Sequence, residues 1–207
     1  MSSLELPKTT RFAEERDVPR SYSDEIAARR EANFVEGFVL TEVADPEQLF
    51  RFYAEINVNN SRLWELFTHL ATILPDVCAC LFCLYEDADN ITSGKYQDKE
   101  LTLAVLNSVQ KELVGDCYLE FGLIYNDEAT LIEIYVAESK FVKVWGVDRQ
   151  HFEQIMAQHG VLEFEEMRFV DEFPKVVVPL TTLDIEAKST EKIIDLLEKA
   201  FAPEHQE

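Results

Sequence analysis

The groups in this chain most able to hold a metal or react covalently are its thiols, and three of the four cysteines, Cys78, Cys80 and Cys83, fall within six residues. Structural zinc sites pair their cysteines across turns, whereas the spacing here is Cys-x-Cys-x-x-Cys with no glycine between. The three lie in Val77 to Tyr85, which reads as a buried strand. Alternation then puts Cys78 and Cys80 on one face and Cys83 on the other, so the expectation is that they, with Cys117, are small buried residues in a reducing compartment. The histidines, His69, His151, His159 and His205, are scattered. His151 and His159 share a helix face but lie two turns apart, too far to ligate one metal. His159, in the last helical turn, is expected to interact with the negative end of its helix. The run Asp87, Asp89, Asn90 lacks the ordered spacing and terminal glutamate of a calcium loop. There is no G-x-S-x-G elbow, Walker loop, G-x-G-x-x-G or H-E-x-x-H, and six glycines leave little from which to build a phosphate cradle. Carboxylate pairs arise by chance among 40 acids. The expectation is no catalytic residue, metal or cofactor.

The sharpest pattern is Tyr118 to Gly146, which reads as a three-stranded antiparallel meander with turns at Asn126 to Ala129 and Glu138 to Lys140. Pairing Phe121 with Ile134, and Ile134 with Val144, points Leu119, Phe121, Leu123, Ile132, Ile134, Val136, Val142 and Val144 one way. The opposite face carries Glu120, Glu133, Tyr135, Lys143 and Trp145. That register sets Glu120, Tyr135 and Lys143 in one row and Gly122, Glu133 and Trp145 in the next, with Gly122 leaving room for the indole. Tyrosine and tryptophan are the anchors that dominate interface energetics, and the three charges could fix a partner's register. These five residues are the candidate binding site. The competing expectation is that the leading segment or the C-terminal helix covers this face.

The elements around the meander follow from local signals. Phe34 to Val43 reads as a strand. Asp45 before Pro46 looks like a helix start, with the helix running to about Ile56. Ser61 can cap a helix bearing Leu63, Trp64, Phe67, Leu70, Ala71 and Leu74, ended by Pro75. After the Val77 to Tyr85 strand, Glu86 to Lys99 reads as a solvated loop. Glu100 to Val114 reads as one helix that buries Leu101, Leu103, Ala104, Val105, Leu106, Val109 and Leu113, stopped by Gly115. Asp148 caps a helix through His159 with Gly160 at its end; Lys175 to Leu180 is a strand; and Thr190 caps a last helix closed by Pro203. The order indicates an α+β fold, with a mixed, largely antiparallel sheet and helices on its apolar face. Residues 1–32 are polar, carry Pro7 and Pro19, and read either as a loose tail, the favoured reading, or as an arm that docks on the body or on a second subunit; residues 33–207 read as a single acidic domain.

Charge restricts the partners. The chain's net charge is −21, and the first 32 residues, with six basic and seven acidic side chains, contribute almost none of it. An acidic body repels phosphate backbones and anionic lipid and steers basic proteins toward it. Met1 to Thr10 holds no apolar leader, and no window approaches the ~18 apolar residues of a membrane helix. The expectation is a cytoplasmic protein with no nucleic-acid or membrane partner.

The strands Tyr118-Leu119-Glu120-Phe121-Gly122-Leu123-Ile124-Tyr125, Leu131-Ile132-Glu133-Ile134-Tyr135-Val136 and Phe141-Val142-Lys143-Val144-Trp145, followed by a helix ending His159-Gly160, loosely resemble bacterial immunity-type proteins of polymorphic toxin systems. The resemblance covers roughly Trp64 to Gly160 and rests on a general pattern without an exclusive motif. It implies a non-enzymatic inhibitor that binds a toxin domain, often a basic nuclease. The chain departs from the smallest members in length and in its leading segment. The alternative is a small-molecule-binding domain or enzyme with a pocket between sheet and helices.

Overall fold

The computed structural model describes residues 3–84 and 91–202. In chain order the elements are β1 (Thr10–Phe12), α1 (Ser23–Glu31), β2 (Gly37–Glu42), β3 (Phe52–Asn57), α2 (Leu63–Leu70), β4 (Val77–Leu84), β5 (Thr92–Ser93) and β6 (Gln97–Asp98). There follow α3 (Lys99–Asn107), α4 (Gln110–Gly115), β7 (Leu119–Asn126), β8 (Leu131–Val136), β9 (Val142–Gly146), α5 (Arg149–Gln158), β10 (Lys175–Val177), α6 (Leu180–Leu183) and α7 (Thr190–Phe201). The fold is α+β. Eight strands form an antiparallel sheet ordered β2-β3-β9-β8-β7-β4-β5, with β6 also pairing with β4, while β1 and β10 make a separate two-stranded ribbon.

One face of the sheet supports the core. Leu119, Phe121, Leu123, Ile132, Ile134, Val136, Val142 and Val144 are all buried there, as their alternation requires. Against them pack Leu63, Leu66, Phe67 and Leu70 of α2, Phe152, Ile155 and Met156 of α5, and Ile193, Leu197 and Phe201 of α7. These spacings of three and four place each set on one helical stripe. The layer between sheet and helices is thus filled by aromatic and aliphatic side chains.

Local signals hold at α5 but not at α2 or α7, where Ser61 bonds to Glu5 and Thr190 to Asp116 and neither caps its helix. Asp148 Oδ1 accepts the His151 amide at 3.0 Å and caps α5. Gly160, at φ +64°, ends that helix with the amide of Val161 bonded to Met156 O. Cys78 and Cys80 join the core while Cys83 points to the other face. Burial raises the Cys78 thiol to about 11, and Cys80 and Cys117 also rise, so these thiols stay protonated and poor ligands. No group of three or more His, Cys, Asp or Glu among the described residues is placed to hold a metal.

Several expectations are corrected. Residues 46–56 contain no helix: Asp45 Oδ1 accepts the Glu47 amide at 2.9 Å, closing a turn, and β3 follows. The period of two in Phe52, Ala54 and Ile56, buried beside half-buried Tyr53 and Glu55, outweighs the Asp-Pro signal. The helix expected from Glu100 to Val114 breaks at Ser108, whose hydroxyl bonds back to Val105 O, and Leu101 points into solvent. The expected Lys175 to Leu180 strand ends at Val177, and Leu180 opens α6. The leading segment is docked: Leu4, Leu6 and Phe12 pack with Phe34, Val170 and Phe173, and β1 pairs with β10. Its apolar residues follow no single period, so their common face appears only once distant segments meet them. Asp87, Asp89, Asn90, Pro203 and His205 lie outside the described residues.

Candidate partner-binding face

The outward face of the sheet is built from the alternate positions of each strand. One cross-strand row runs Val39, Glu55, Lys143, Tyr135, Gly122, Leu81, and the next runs Thr41, Tyr53, Trp145, Glu133, Ile124, Ala79. The second hairpin has the expected register, with Ile134 opposite Val144. The first is displaced by two: Phe121 faces Val136 and Leu123 faces Ile134. The cause is the loop, which holds the four residues 127–130 closed by Asp127, whose amide bonds Thr130 O and whose Oδ1 accepts the Ala129 amide. A slip of two preserves both faces but changes the neighbours. Gly122 therefore lies beside Tyr135, not Trp145, and Glu120 leaves the Tyr135–Lys143 row.

The five predicted residues divide between two environments. Glu120 and Tyr135, each 6% exposed, lie in the interior. The Tyr135 hydroxyl donates to Glu120 Oε2 at 2.5 Å, Cys83 Sγ lies 3.3 Å from the same oxygen, and the Glu138 amide donates to Oε1 at 2.8 Å. Burial, with Cys83 and Glu120 beside it, drives the Tyr135 phenol well above its ordinary value. The remaining three, Glu133, Lys143 and Trp145, are half-buried. Trp145 packs against Tyr53 with ring centres 4.9 Å apart and planes tilted by 41°, and Lys143 Nζ sits 5.1 Å from the Phe141 ring centre. Desolvation raises the Glu133 carboxyl, partly countered by Lys143.

Among the described residues the segment 161–172 covers part of this face, while the leading segment packs with Phe34, Val170 and Phe173 and α7 packs on the core face. It leaves α5 along the sheet edge, where Phe38 donates its amide to Leu162 O and accepts the amide of Phe164. Asn57 Nδ2 then holds Arg168 O at 3.0 Å, and Phe169 seats on Phe141 with ring centres 5.2 Å apart. Between this strap and the strands runs a groove of about 610 Å³, floored by Val39, Phe141 and Lys143. Its walls bring five carboxylates, Glu55, Glu165, Glu166, Asp171 and Glu172, against two cations, Lys143 and Arg168.

Beneath the covered end lies a buried polar junction that sequence reasoning missed. Lys140, 2% exposed, holds the left-handed conformation at φ 63° in the second hairpin and donates to Leu119 O. Burial lowers its ammonium pKa, opposed by Cys117 and the carboxylates of Asp116 and Glu120. Asp116 accepts from Thr190 of α7 at 2.8 Å, and Thr9 of the leading segment donates to Gly115 O at 2.6 Å. Nearby, Lys175 Nζ bridges Glu138 and Asp171. The junction fastens the leading segment and α7 to the sheet. Tyr53 and Glu55 were also missed, because their strand was read as helix; the signal present was the alternation of residues 52–56. His159 faces His69, with Nε2 and Nδ1 at 2.9 Å, across 90 residues of sequence.

Among the described residues no helix is long and apolar enough to cross a membrane. No family model matches the chain, and neither a curated protein nor a solved structure is significantly similar to it.

Proposed function

We propose that this protein is a non-enzymatic binding domain whose outward sheet face receives a basic protein, in the manner of an immunity protein neutralising a toxin domain. The observation that carries the reading is the half-buried Tyr53–Trp145 pair at the open end of the face, flanked by Glu55 and Glu133 and continuous with the acidic groove. Flat aromatic anchors ringed by carboxylates suit a partner that presents lysine or arginine over an apolar centre. The net charge of −21 would accelerate encounter with such a partner and make the on-rate depend on salt. Of the five residues first singled out, Glu133, Lys143 and Trp145 would touch the partner, while Glu120 and Tyr135 would support the strand beneath it.

The test is capture of a partner by tagged protein from cytoplasmic extract, followed by titration of the two purified components. Trp145→Ala should weaken binding by about 30-fold or more, the level of an interface anchor, with the far-UV spectrum and melting temperature close to those of the parent. Glu55→Lys should slow association most at low salt. An affinity that Trp145→Ala leaves unchanged would refute the reading. So would a toxin domain whose activity is untouched by a stoichiometric excess of this protein.

A further inference from the structure

The leading segment encloses a second cavity, of about 520 Å³, between β1 and the end of α1. Its charge is opposite to that of the rest of the molecule: three guanidinium groups, Arg11, Arg29 and Arg30, line it against one carboxylate, Glu14. Two of the three are already neutralised, Arg11 by Asp17 at 2.6 Å and Arg30 by Glu15 at 3.0 Å, while Glu14 is held by Arg16 at 3.1 Å. Among the described residues Arg29 has no carboxylate partner. Its guanidinium carbon lies 4.3 Å over the Phe12 ring, and Phe12 is itself backed by Phe34 at 4.6 Å. Arg29 Nε is shut off from solvent without a hydrogen-bond partner.

A guanidinium stacked on an aromatic ring keeps its plane fixed. With Nε enclosed, only the terminal nitrogens can meet a ligand, and such a fork matches two oxygens of a carboxylate or phosphate. The remaining lining is mixed, with apolar Leu4, Leu6 and Ala13 beside polar Ser3, Thr10 and Asn33. The volume falls in the ~300–1,000 Å³ range of small-ligand pockets, larger than a bare ion needs. From these features we infer that the cavity binds a small organic oxyanion, with its charged head on Arg29 and an apolar body against Leu4 and Leu6. The site is separate from the sheet face and does not depend on the function proposed for it.

Two probes distinguish head from body: inorganic phosphate, and benzoate, which adds a ring. Each is titrated into the isotopically labelled full chain at constant ionic strength set with sodium chloride, and amide and arginine side-chain signals are followed. Saturable shifts confined to Phe12, Arg29 and Asn33 are expected, with benzoate the tighter probe. Arg29→Gln should weaken both by about 10- to 100-fold, the loss of a charge-assisted contact, whereas Arg20→Gln, outside the cavity, should not. Linear shifts spread over the surface would overturn the inference, as would equal titrations of the parent and Arg29→Gln. Benzoate no tighter than phosphate would overturn the apolar subsite. If Arg29→Gln unfolds, the location and saturation of the shifts in the parent chain decide.

Discussion

Gly122→Ala tests the register on which the outward face depends. A Cβ built at Gly122 would lie 2.5 Å from the carbonyl oxygen of Ile134, 3.0 Å from Tyr135 Cδ2 and 3.1 Å from Tyr135 Cα. Two of these atoms are backbone of the paired strand β8, so relief requires moving the sheet or displacing the Tyr135 ring from Glu120. Overpacking a well-filled site costs about 1–3 kcal/mol. Replacing a strand glycine by alanine recovers roughly 0.5–1 kcal/mol of backbone entropy. The two ranges leave a loss of about 0–2.5 kcal/mol, centred on about 1 kcal/mol, which for a chain of this length lowers the melting temperature by roughly 2–4 °C. Thermal and urea unfolding of the parent and variant measure the change. Cross-strand nuclear Overhauser contacts from Gly122 to Tyr135 check the neighbour directly. An alanine variant more stable than the parent would refute the close approach and with it the pairing of Gly122 with Tyr135.

Other consequences follow from the buried groups. Tyr135→Phe removes the 2.5 Å donor from the buried Glu120 carboxylate and should cost about 1–3 kcal/mol in urea unfolding; a neutral result would mean that water or Cys83 replaces it fully. Burial, with Asp171 and Glu120 nearby, raises the Glu138 carboxyl to about 7, against the attraction of Lys175. Between the ordinary carboxylate range and pH 7 the folded chain therefore binds more protons at this site than the unfolded chain, and Glu138's contribution to stability falls as pH rises through that window. Glu138→Gln should flatten this part of the stability profile, and an unchanged slope would contradict the assignment. Desolvation and His69 lower the pKa of His159, with Glu65 opposing and Arg62 assisting. The unfolded chain then takes up the proton first as pH falls, so stability is lost below about pH 6.5, the ordinary histidine value. His159→Gln should reduce that acid loss between pH 7 and 5.5, measured as the urea midpoint.

The sequence by itself determined whatever depends on period and short loops. Strict alternation in Leu119–Asn126, Leu131–Val136 and Val142–Gly146 separated the core face from the outward face, and the short second hairpin loop set Ile134 opposite Val144. Caps and stops such as Asp148 and Gly160 were legible because their partners lie within a few residues. Tertiary structure decided what local pattern leaves degenerate. A slip of two residues keeps every side chain on its face, so only the closed loop at Asp127 places Gly122 beside Tyr135. The Asp45-Pro46 helix signal ahead of β3 gave way to a turn, and residues 52–57 paired with β2 and β9. Whether Trp145 is open and Tyr135 covered depends on the 161–172 strap, which has no periodicity of its own. Lys140 within the polar junction, Arg29 over Phe12 and His159 against His69 are meetings of residues 17 to 90 or more positions apart. Such contacts form because the hydrophobic face of the sheet gathers the helices and the leading segment around it, and that geometry belongs to the whole chain and not to any window of it.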